Sequence, residues 1–425
     1  MKKASVGILS LGCPRNLVDS ETIAQRLSSK GFRIADISDA QIAVVNTCAF
    51  VNDAKSESIE AILELIEAKK KGRIRKIIVY GCFSQRYKYV LPEELPEVDA
   101  FVGRIEPDPC AERFGLTPRH FAYLKICEGC VNNCSFCIIP SIKGKFKSLD
   151  PEAVLAKLSL LDRQGISELN IIGQDISAYG KDLSRNIDLT ALLKKIIKRT
   201  PHIGWLRLLY LYPSRVSDEL LRLMAGESRI CNYLDVPIQH ISGRILKLMN
   251  RSTSKKDIAG LIERIRKIVP GAAIRTTLIT GFPSETDKEF EEMLEFVKEM
   301  RFERLGVFMY SREEGTPAHG MPGQVPYKVK ESRFNRLMSA QQEISARINE
   351  SLQGSTIDVL IDGQHSEGQL SAGAGRLYIG RSRHDAPDVD GSVFVRSKRK
   401  LSAGEFVRVR ICDTMEYDLV GETIK

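Results

Sequence analysis

Short apolar runs alternate with longer amphipathic stretches along most of the chain, a rhythm that predicts strands alternating with helices and therefore a parallel sheet. Val6 to Leu11 is the first such run and ends at Gly12-Cys13; Val18 to Ser29 reads as the helix that follows, closed by Gly31. Ile42 to Asn46 leads into Thr47-Cys48, and Lys76 to Tyr80 leads into Gly81-Cys82. Between them Ser58 to Lys70 is amphipathic, with Ile59, Ile62, Leu63 and Ile66 on one predicted face.

The middle of the chain keeps the rhythm. Strands are predicted at Phe121 to Ile126, Leu169 to Ile172, Leu206 to Leu209, Tyr233 to Val236, Ala273 to Ile279 and Leu305 to Met309, with helical text such as Pro151 to Asp162 and Asp287 to Met300 between them. Six such units suggest a partial (β/α)6 barrel rather than the full eight. Leu337 to Leu352 reads as one more helix. Beyond Gly354 the text changes to short strands at Ile357 to Ile361, Arg376 to Ile379, Ser392 to Val395 and Phe406 to Ile411, separated by Gly, Asp and Ser turns. The expected fold class is α/β: a parallel α/β domain over 1–118, the partial barrel over 119–350, and a small antiparallel, OB-like β-barrel over 351–425.

Composition narrows the class. Of 425 residues 43% are hydrophobic and 28% charged, a balance that can bury cores and argues against disorder. No apolar run approaches the roughly 18 residues of a membrane span, so no membrane partner is expected. The amino terminus has two lysines, a short apolar run and Gly12-Cys13, but Ser10, Gly12 and Pro14 interrupt it before a secretory h-region could form. A buried strand and a cytoplasmic location are expected. Net charge is +9, and residues 119–354 carry the whole excess; the carboxy-terminal 355–425 hold 10 bases and 11 acids. Such a surplus suits either a polyanion or a mildly basic solvated surface.

Ten cysteines without an export signal point to metal binding or catalysis rather than disulfides. Cys130-Val-Asn-Asn-Cys134-Ser-Phe-Cys137 places three thiolates within eight residues, on the loop after the first barrel strand, where such barrels carry active sites. Three thiolates can hold an iron–sulfur cube and leave one iron open to a substrate. The alternative is zinc, with Cys127 as the fourth ligand of a closed tetrahedron.

Cys13, Cys48 and Cys82 are distant in sequence, yet each follows a predicted strand directly. Carboxyl ends of parallel strands share one edge, so these thiols converge on a single crevice and suggest a second cluster. The alternative is three small buried hydrophobes. Cys110, Cys231 and Cys412 have no spacing partner.

The C-x3-C-x2-C spacing resembles that of the radical S-adenosylmethionine (SAM) enzymes. With the amino-terminal three-cysteine domain and the terminal β-barrel, the whole chain resembles the methylthiotransferase family, whose last module is called TRAM. The resemblance implies two [4Fe-4S] clusters and SAM as cofactors. Cys130, Cys134 and Cys137 would hold the radical-generating cluster, and Cys13, Cys48 and Cys82 the auxiliary one that delivers sulfur. An electron donor such as flavodoxin or ferredoxin and a sulfur donor are implied as partners. Ser10-Leu-Gly-Cys-Pro-Arg-Asn-Leu-Val-Asp-Ser-Glu21 and Gly380-Arg-Ser-Arg-His-Asp-Ala-Pro-Asp-Val-Asp-Gly391 are similar to the branch that modifies an aspartate β-carbon in the twelfth small-subunit ribosomal protein (S-twelve), free or in the subunit. Nucleic acid is a partner only if the chain belongs instead to the branch that methylthiolates an adenosine beside the tRNA anticodon.

The charge of the terminal barrel agrees, since a tRNA grip calls for a basic surplus. Asp385, Asp388 and Asp390 are expected to present a face to a basic protein, although a polar turn explains the residue types as well. By resemblance Gly173, Gln174 and Asp175 occupy the place of the Gly-Gly-Glu-like motif that contacts the amino group of SAM, but depart from it; a strand-to-loop turn would also use them. Phe136 is expected beside the adenine or packed in its loop. Arg275, with Thr276, is expected at the SAM pocket, its fork suited to the carboxylate or to an ordinary ion pair. Asp235 to His240 and Met249-Asn-Arg251 also match family text near the active site, without a role assigned to His240, and Gly281-Phe-Pro reads as a rigid strand exit.

Overall fold

The computed structural model describes residues 4–104, 114–184, 187–369 and 375–424, so Cys110 lies outside the described residues. Two parallel sheets and a closed barrel follow one another along the chain. The first sheet has strands β1 (Ser5–Ser10), β2 (Arg33–Ala35), β3 (Ile42–Thr47), β4 (Lys76–Gly81) and β5 (Ala100–Val102), all parallel in the order β2-β1-β3-β4-β5. Helices α1 (Pro14–Ser29), α2 (Asn52–Lys70), α3 (Cys82–Arg86) and α4 (Leu91–Glu94) connect and cover it. Helix α1 starts four residues before the apolar pattern because Pro14, with its fixed φ and missing N–H, occupies the first turn.

Helix α2 is rotated from the expected face. Ser58, Ile62, Leu65 and Ile66 are buried, whereas Ile59 and Leu63 are 38% and 46% exposed. The Ser58 hydroxyl sets this rotation: it accepts from the Cys48 N–H at 3.1 Å and stands 2.9 Å from the Cys48 carbonyl, so the helix turns its hydroxyl face to the loop.

The second sheet contains β6 (Phe121–Lys125), β9 (Glu168–Ile172), β10 (Trp205–Leu208), β11 (Ile230–Asp235), β12 (Ala273–Thr280) and β13 (Arg304–Met309), parallel and in sequential order, as the pattern predicts for an open (β/α)6 barrel. A two-residue ladder, β7 (Cys127–Glu128) with β8 (Lys147–Ser148), braces the loop after β6. Helices α5 (Ile139–Lys143), α6 (Pro151–Arg163), α7 (Leu189–Arg199), α8 (Asp218–Gly226), α9 (Gly243–Leu248), α10 (Lys255–Ile268), α11 (Asp287–Met300) and α12 (Tyr327–Glu350) complete the units. Capping boxes start α10 (Ser254 with Asp257) and α11 (Thr286 with Glu289), which satisfies two otherwise unpaired N–H groups at each. Strand alternation divides the side chains. Leu169, Ile171, Leu206, Leu208, Leu234 and Ile274 pack under the helices, while Phe121, Tyr123, Trp205, Cys231 and Tyr233 line the concave face.

The third unit closes as β14 (Thr356–Gln369), β15 (Arg376–Ser382), β16 (Val393–Ser397), β18 (Leu419–Thr423) and β17 (Phe406–Thr414). It is not wholly antiparallel: β16 and β18 pair in parallel, and β18 carries too little apolar text to be read in advance.

A turn of this barrel, residues 382–390, fills the lower half of the concave face. Arg304 pairs with Asp385 at 2.5 Å; Arg275 pairs with Asp390, which also accepts from the Tyr233 hydroxyl at 2.7 Å. Deeper in, Glu168 is held between Arg207 at 2.8 Å and Arg381 at 2.6 Å, and Asp362 links Arg381 to His120. The expected acidic docking face is therefore corrected. The side chains of Asp385 and Asp390 are buried against the sheet's arginines, and Asp388 alone of the three is exposed. Arg304 holds the Asp385 carboxyl below the usual range despite the opposing effect of burial. Among the described residues no helix is long and apolar enough to cross a membrane.

Asp385→Ala leaves Arg304 buried and unpaired and is expected to destabilise this junction by about 3–5 kcal/mol. The readout is a lowered urea midpoint. Replacing both partners, Arg304→Met with Asp385→Leu, is expected to recover most of the loss; an unchanged midpoint in Asp385→Ala would show that the junction does not depend on the pair.

Candidate functional site

The carboxyl ends of β1, β3 and β4 deliver Cys13, Cys48 and Cys82 to one edge. Two glycines allow the loops to close there. Gly12, at φ +83°, could not carry a Cβ without placing it 2.7 Å from the Cys48 Cβ, and a Cβ on Gly81, at φ +102°, would lie 2.4 Å from Asn46 Oδ1. Asn16 ties the three loops together: its Nδ2 donates to Leu11 O at 3.0 Å and Thr47 O at 3.2 Å, and its Oδ1 faces the Cys82 thiol at 3.7 Å. Asn46 in turn donates to Asn16 O at 2.6 Å and Ser20 Oγ at 2.9 Å. Sequence reasoning missed both asparagines.

The three thiols differ electrostatically. Burial pushes Cys82 up to about 12 and raises Cys48, each also opposed by charge on its neighbours. Burial acts the same way on Cys13, but the adjacent Arg15 guanidinium, whose Nε stands 3.4 Å from Sγ, outweighs it and holds that thiol below its ordinary value.

The second thiol set lies on the loop between β7 and α5. That loop is held from outside: Ser135 N donates to Met249 O at 3.0 Å, Ser135 Oγ to Leu248 O at 2.7 Å, and Asn250 Nδ2 to Asn133 O at 2.7 Å. Asn132 Nδ2 stands 3.3 Å from Cys130 Sγ, and Arg251 Nη1 3.8 Å from Cys134 Sγ. Arg215 and Arg251 flank the Tyr212 ring at 4.2 and 4.4 Å, so two cations reach the thiol loop from one aromatic platform. Charges of this kind offset the negative charge of a thiolate-held cluster.

Cys127 is fully buried on the other side. Its thiol donates to Asp175 O at 3.7 Å and occupies the space that a Cβ on Gly173 would need, 2.3 Å away. It faces the apolar core, which favours a three-thiolate site over the four-thiolate zinc alternative.

Gly173, Gln174 and Asp175 lie at the carboxyl end of β9, beside the loop. Asp175 pairs with Arg215 and accepts from Asn132 at 2.9 Å, and Gln174 Nε2 approaches Glu128 at 3.4 Å. Gln174 Oε1, Arg215 Nε and Arg251 Nε are buried without a hydrogen-bond partner among the described residues. Buried polar atoms left open beside three thiols fit a polar ligand such as SAM. One expected contact is corrected. Arg275 is the third residue of β12, about 15 Å of strand from its carboxyl end, and its fork is taken by Asp390. Phe136 is half-buried and packs against the cluster of Ile245, Met249, Ile279, Phe282 and Tyr310, which come from other elements than its own loop.

Four charges, three of them buried and Asp19 half-buried, join the two thiol edges. Lys125 of β6 pairs with Asp19 of α1 and with Glu128 at 2.6 Å; Lys143 of α5 pairs with the same two acids at 3.1 and 3.3 Å. Burial would raise the Glu128 carboxyl, but the two ammonium groups hold it well below its ordinary value.

Family models match three successive parts of the chain: an uncharacterized protein family, UPF0004, over residues 5–103, the Radical SAM superfamily over 124–297, and the TRAM domain over 354–424. Curated relatives match from end to end. A "Ribosomal protein uS12 methylthiotransferase RimO" from Pelotomaculum thermopropionicum is 44% identical, with 99% of each chain covered. The chain belongs to the RimO family. Another RimO, from Geotalea uraniireducens, is 43% identical over 99% of each chain. The fold is shared more widely than the RimO family. A radical SAM methyltransferase, TsrM, from Kitasatospora setae, solved with cobalamin and a [4Fe-4S] cluster, superposes with a TM-score of 0.54 at 14% identity, covering 87% of this chain and 82% of that one.

Asn16→Ala removes the clamp on the Cys13, Cys48 and Cys82 loops. It is expected to lower iron loading at that set while leaving the Cys130 loop loaded, so that total iron after anaerobic reconstitution falls by up to about half. Iron and sulfide assays check this, and full loading would exclude a clamping role.

Proposed function

We propose that this chain is a radical SAM methylthiotransferase that replaces a hydrogen on the β-carbon of an aspartate in ribosomal protein uS12 by a methylthio group. One observation carries the reading: two sets of three thiols stand at the carboxyl edges of two adjacent parallel sheets, locked to each other by the Asp19, Lys125, Glu128 and Lys143 charges. End-to-end likeness to RimO proteins supports the choice of substrate over tRNA. The division into 1–118, 119–350 and 351–425 assigns one thiol set to each α/β unit and none to the barrel.

In this reading Cys130, Cys134 and Cys137 hold the radical-generating [4Fe-4S] cluster, and Cys13, Cys48 and Cys82 the auxiliary cluster. Bound there, the two clusters and SAM supply the electron, the radical and the sulfur. The chain's own residues do the rest. Gln174 and Asp175 offer acceptors for the SAM amino group at the end of β9, and Arg251 and Arg215 balance charge at the thiol loop. The barrel turn forms a floor below the reacting centre and leaves the carboxyl half of the concave face open, where Phe308 of β13 is 54% exposed. A substrate loop enters there between Phe308 and the turn, where Asp388 and Val389 are exposed and Asp388 suits a basic side chain. An electron donor of the flavodoxin or ferredoxin type and a sulfur donor complete the system, and a ribosomal substrate supports a cytoplasmic location.

Cys130→Ala is expected to abolish SAM cleavage, whereas Cys48→Ala is expected to cleave SAM and form no methylthiolated product; product from Cys48→Ala would overturn the sulfur assignment. Intact mass spectrometry of ribosomal proteins from cells with and without the gene tests the substrate. Loss of one methylthio unit from uS12 with unchanged tRNA nucleosides is expected, and altered tRNA with unchanged uS12 would overturn the reading.

A further inference from the structure

The Arg15 side chain touches both halves of the site. From the first turn of α1 its Nε reaches Cys13 Sγ at 3.4 Å, and its Nη1 crosses to Gly173 O, at the end of β9, at 3.2 Å. Its guanidinium lies 4.3 Å from the centroid of the Tyr210 ring. The ring is held there at a conformational cost. Tyr210 has φ +68°, a left-handed conformation that side chains other than glycine rarely adopt, and its N–H is fixed by the Asp235 carboxylate at 3.1 Å. Strain of this kind persists where the surroundings over-determine a position.

A structural arginine in such a place would be expected to find a carboxylate. Among the described residues no ion pair joins Arg15 to one, and Nη2 has no hydrogen-bond partner. Its neighbours are instead the Cys13 thiol on one side and the Gly173 carbonyl, at the end of β9, on the other. A forked cation with an open donor between two thiol sets is a receptor for a small, soft anion.

We infer that Arg15 holds the anionic sulfur, a thiolate or hydrosulfide, that is carried at the Cys13, Cys48 and Cys82 set and presented toward the Cys130 loop. The role is one of binding and orientation: Arg15 forms and breaks no covalent bond and donates charge-assisted hydrogen bonds to the sulfur. It rests on the proposed assignment of the auxiliary cluster to Cys13, Cys48 and Cys82.

The test uses the full chain with Cys130→Ala, Cys134→Ala and Cys137→Ala, so that only the other set carries a cluster. It is reconstituted anaerobically and titrated with sodium methanethiolate while the electron paramagnetic resonance spectrum of the reduced cluster is followed. With Arg15 present a saturable spectral change is expected. Arg15→Gln is expected to weaken the apparent affinity by about tenfold or more, and Arg15→Lys, which keeps the charge and loses the fork, by about threefold. In the otherwise unaltered enzyme the ratio of methylthiolated product to 5′-deoxyadenosine is expected to fall in the same order. Equal methanethiolate affinity in Arg15→Gln overturns the inference alone. If Arg15→Gln carries no cluster, the Arg15→Lys titration decides, and wild-type affinity there overturns it. Absence of any cluster signal in the triple-alanine chain overturns the auxiliary-site assignment and this inference with it.

Discussion

Two independent sheets must face each other at their carboxyl edges for this site to exist, and a square of four charges, three of them buried, imposes that alignment. Asp19 comes from the first helix, Lys125 and Glu128 from the first strand and ladder of the second sheet, and Lys143 from the helix after the thiol loop. Each acid meets both ammonium groups, so sliding one edge past the other would leave a charge buried without a partner. Such networks add little net stability over an apolar contact, because desolvation offsets attraction, but they strongly penalise misalignment. The two thiol sets inherit their relative position from this square.

The β-barrel solves a different problem. Six strands leave a barrel open, and the concave face of an open sheet needs a filling that a closed barrel supplies from its own layers. Here Glu168, Arg275 and Arg304, in the amino-terminal halves of their strands, and Arg207 of β10 point inward, and the turn at 382–390 supplies partners to match. Chemistry is confined to the carboxyl half by this filling.

Much of this was legible in the sequence. Strand text running into Gly-Cys or Thr-Cys located Cys13, Cys48 and Cys82 on one edge, because carboxyl ends of parallel strands cannot avoid sharing it. What could not be read were contacts between segments distant in sequence. Asn16 and Asn46 look like ordinary polar residues until the loops converge, Lys125 and Lys143 look like solvated charges, and Arg15 sits in a recognised segment that says nothing of where its side chain goes. Ile59 and Leu63 failed for a local reason: one hydroxyl, that of Ser58, outweighed the apolar pattern in setting the helix's rotation. Asp385 and Asp390 failed because charge was counted within one unit while its partners lay in another.

The asparagine clamp around the auxiliary thiols has a consequence for ligand binding. The loops are fastened by amide hydrogen bonds between protein groups, so the chain's own contacts help set the positions of the three thiols. In small zinc domains metal binding and folding are a single event, and loss of the metal is loss of the fold. Here amide hydrogen bonds of the chain already supply part of that ordering, so less of a ligand's binding free energy goes into arranging the three thiols.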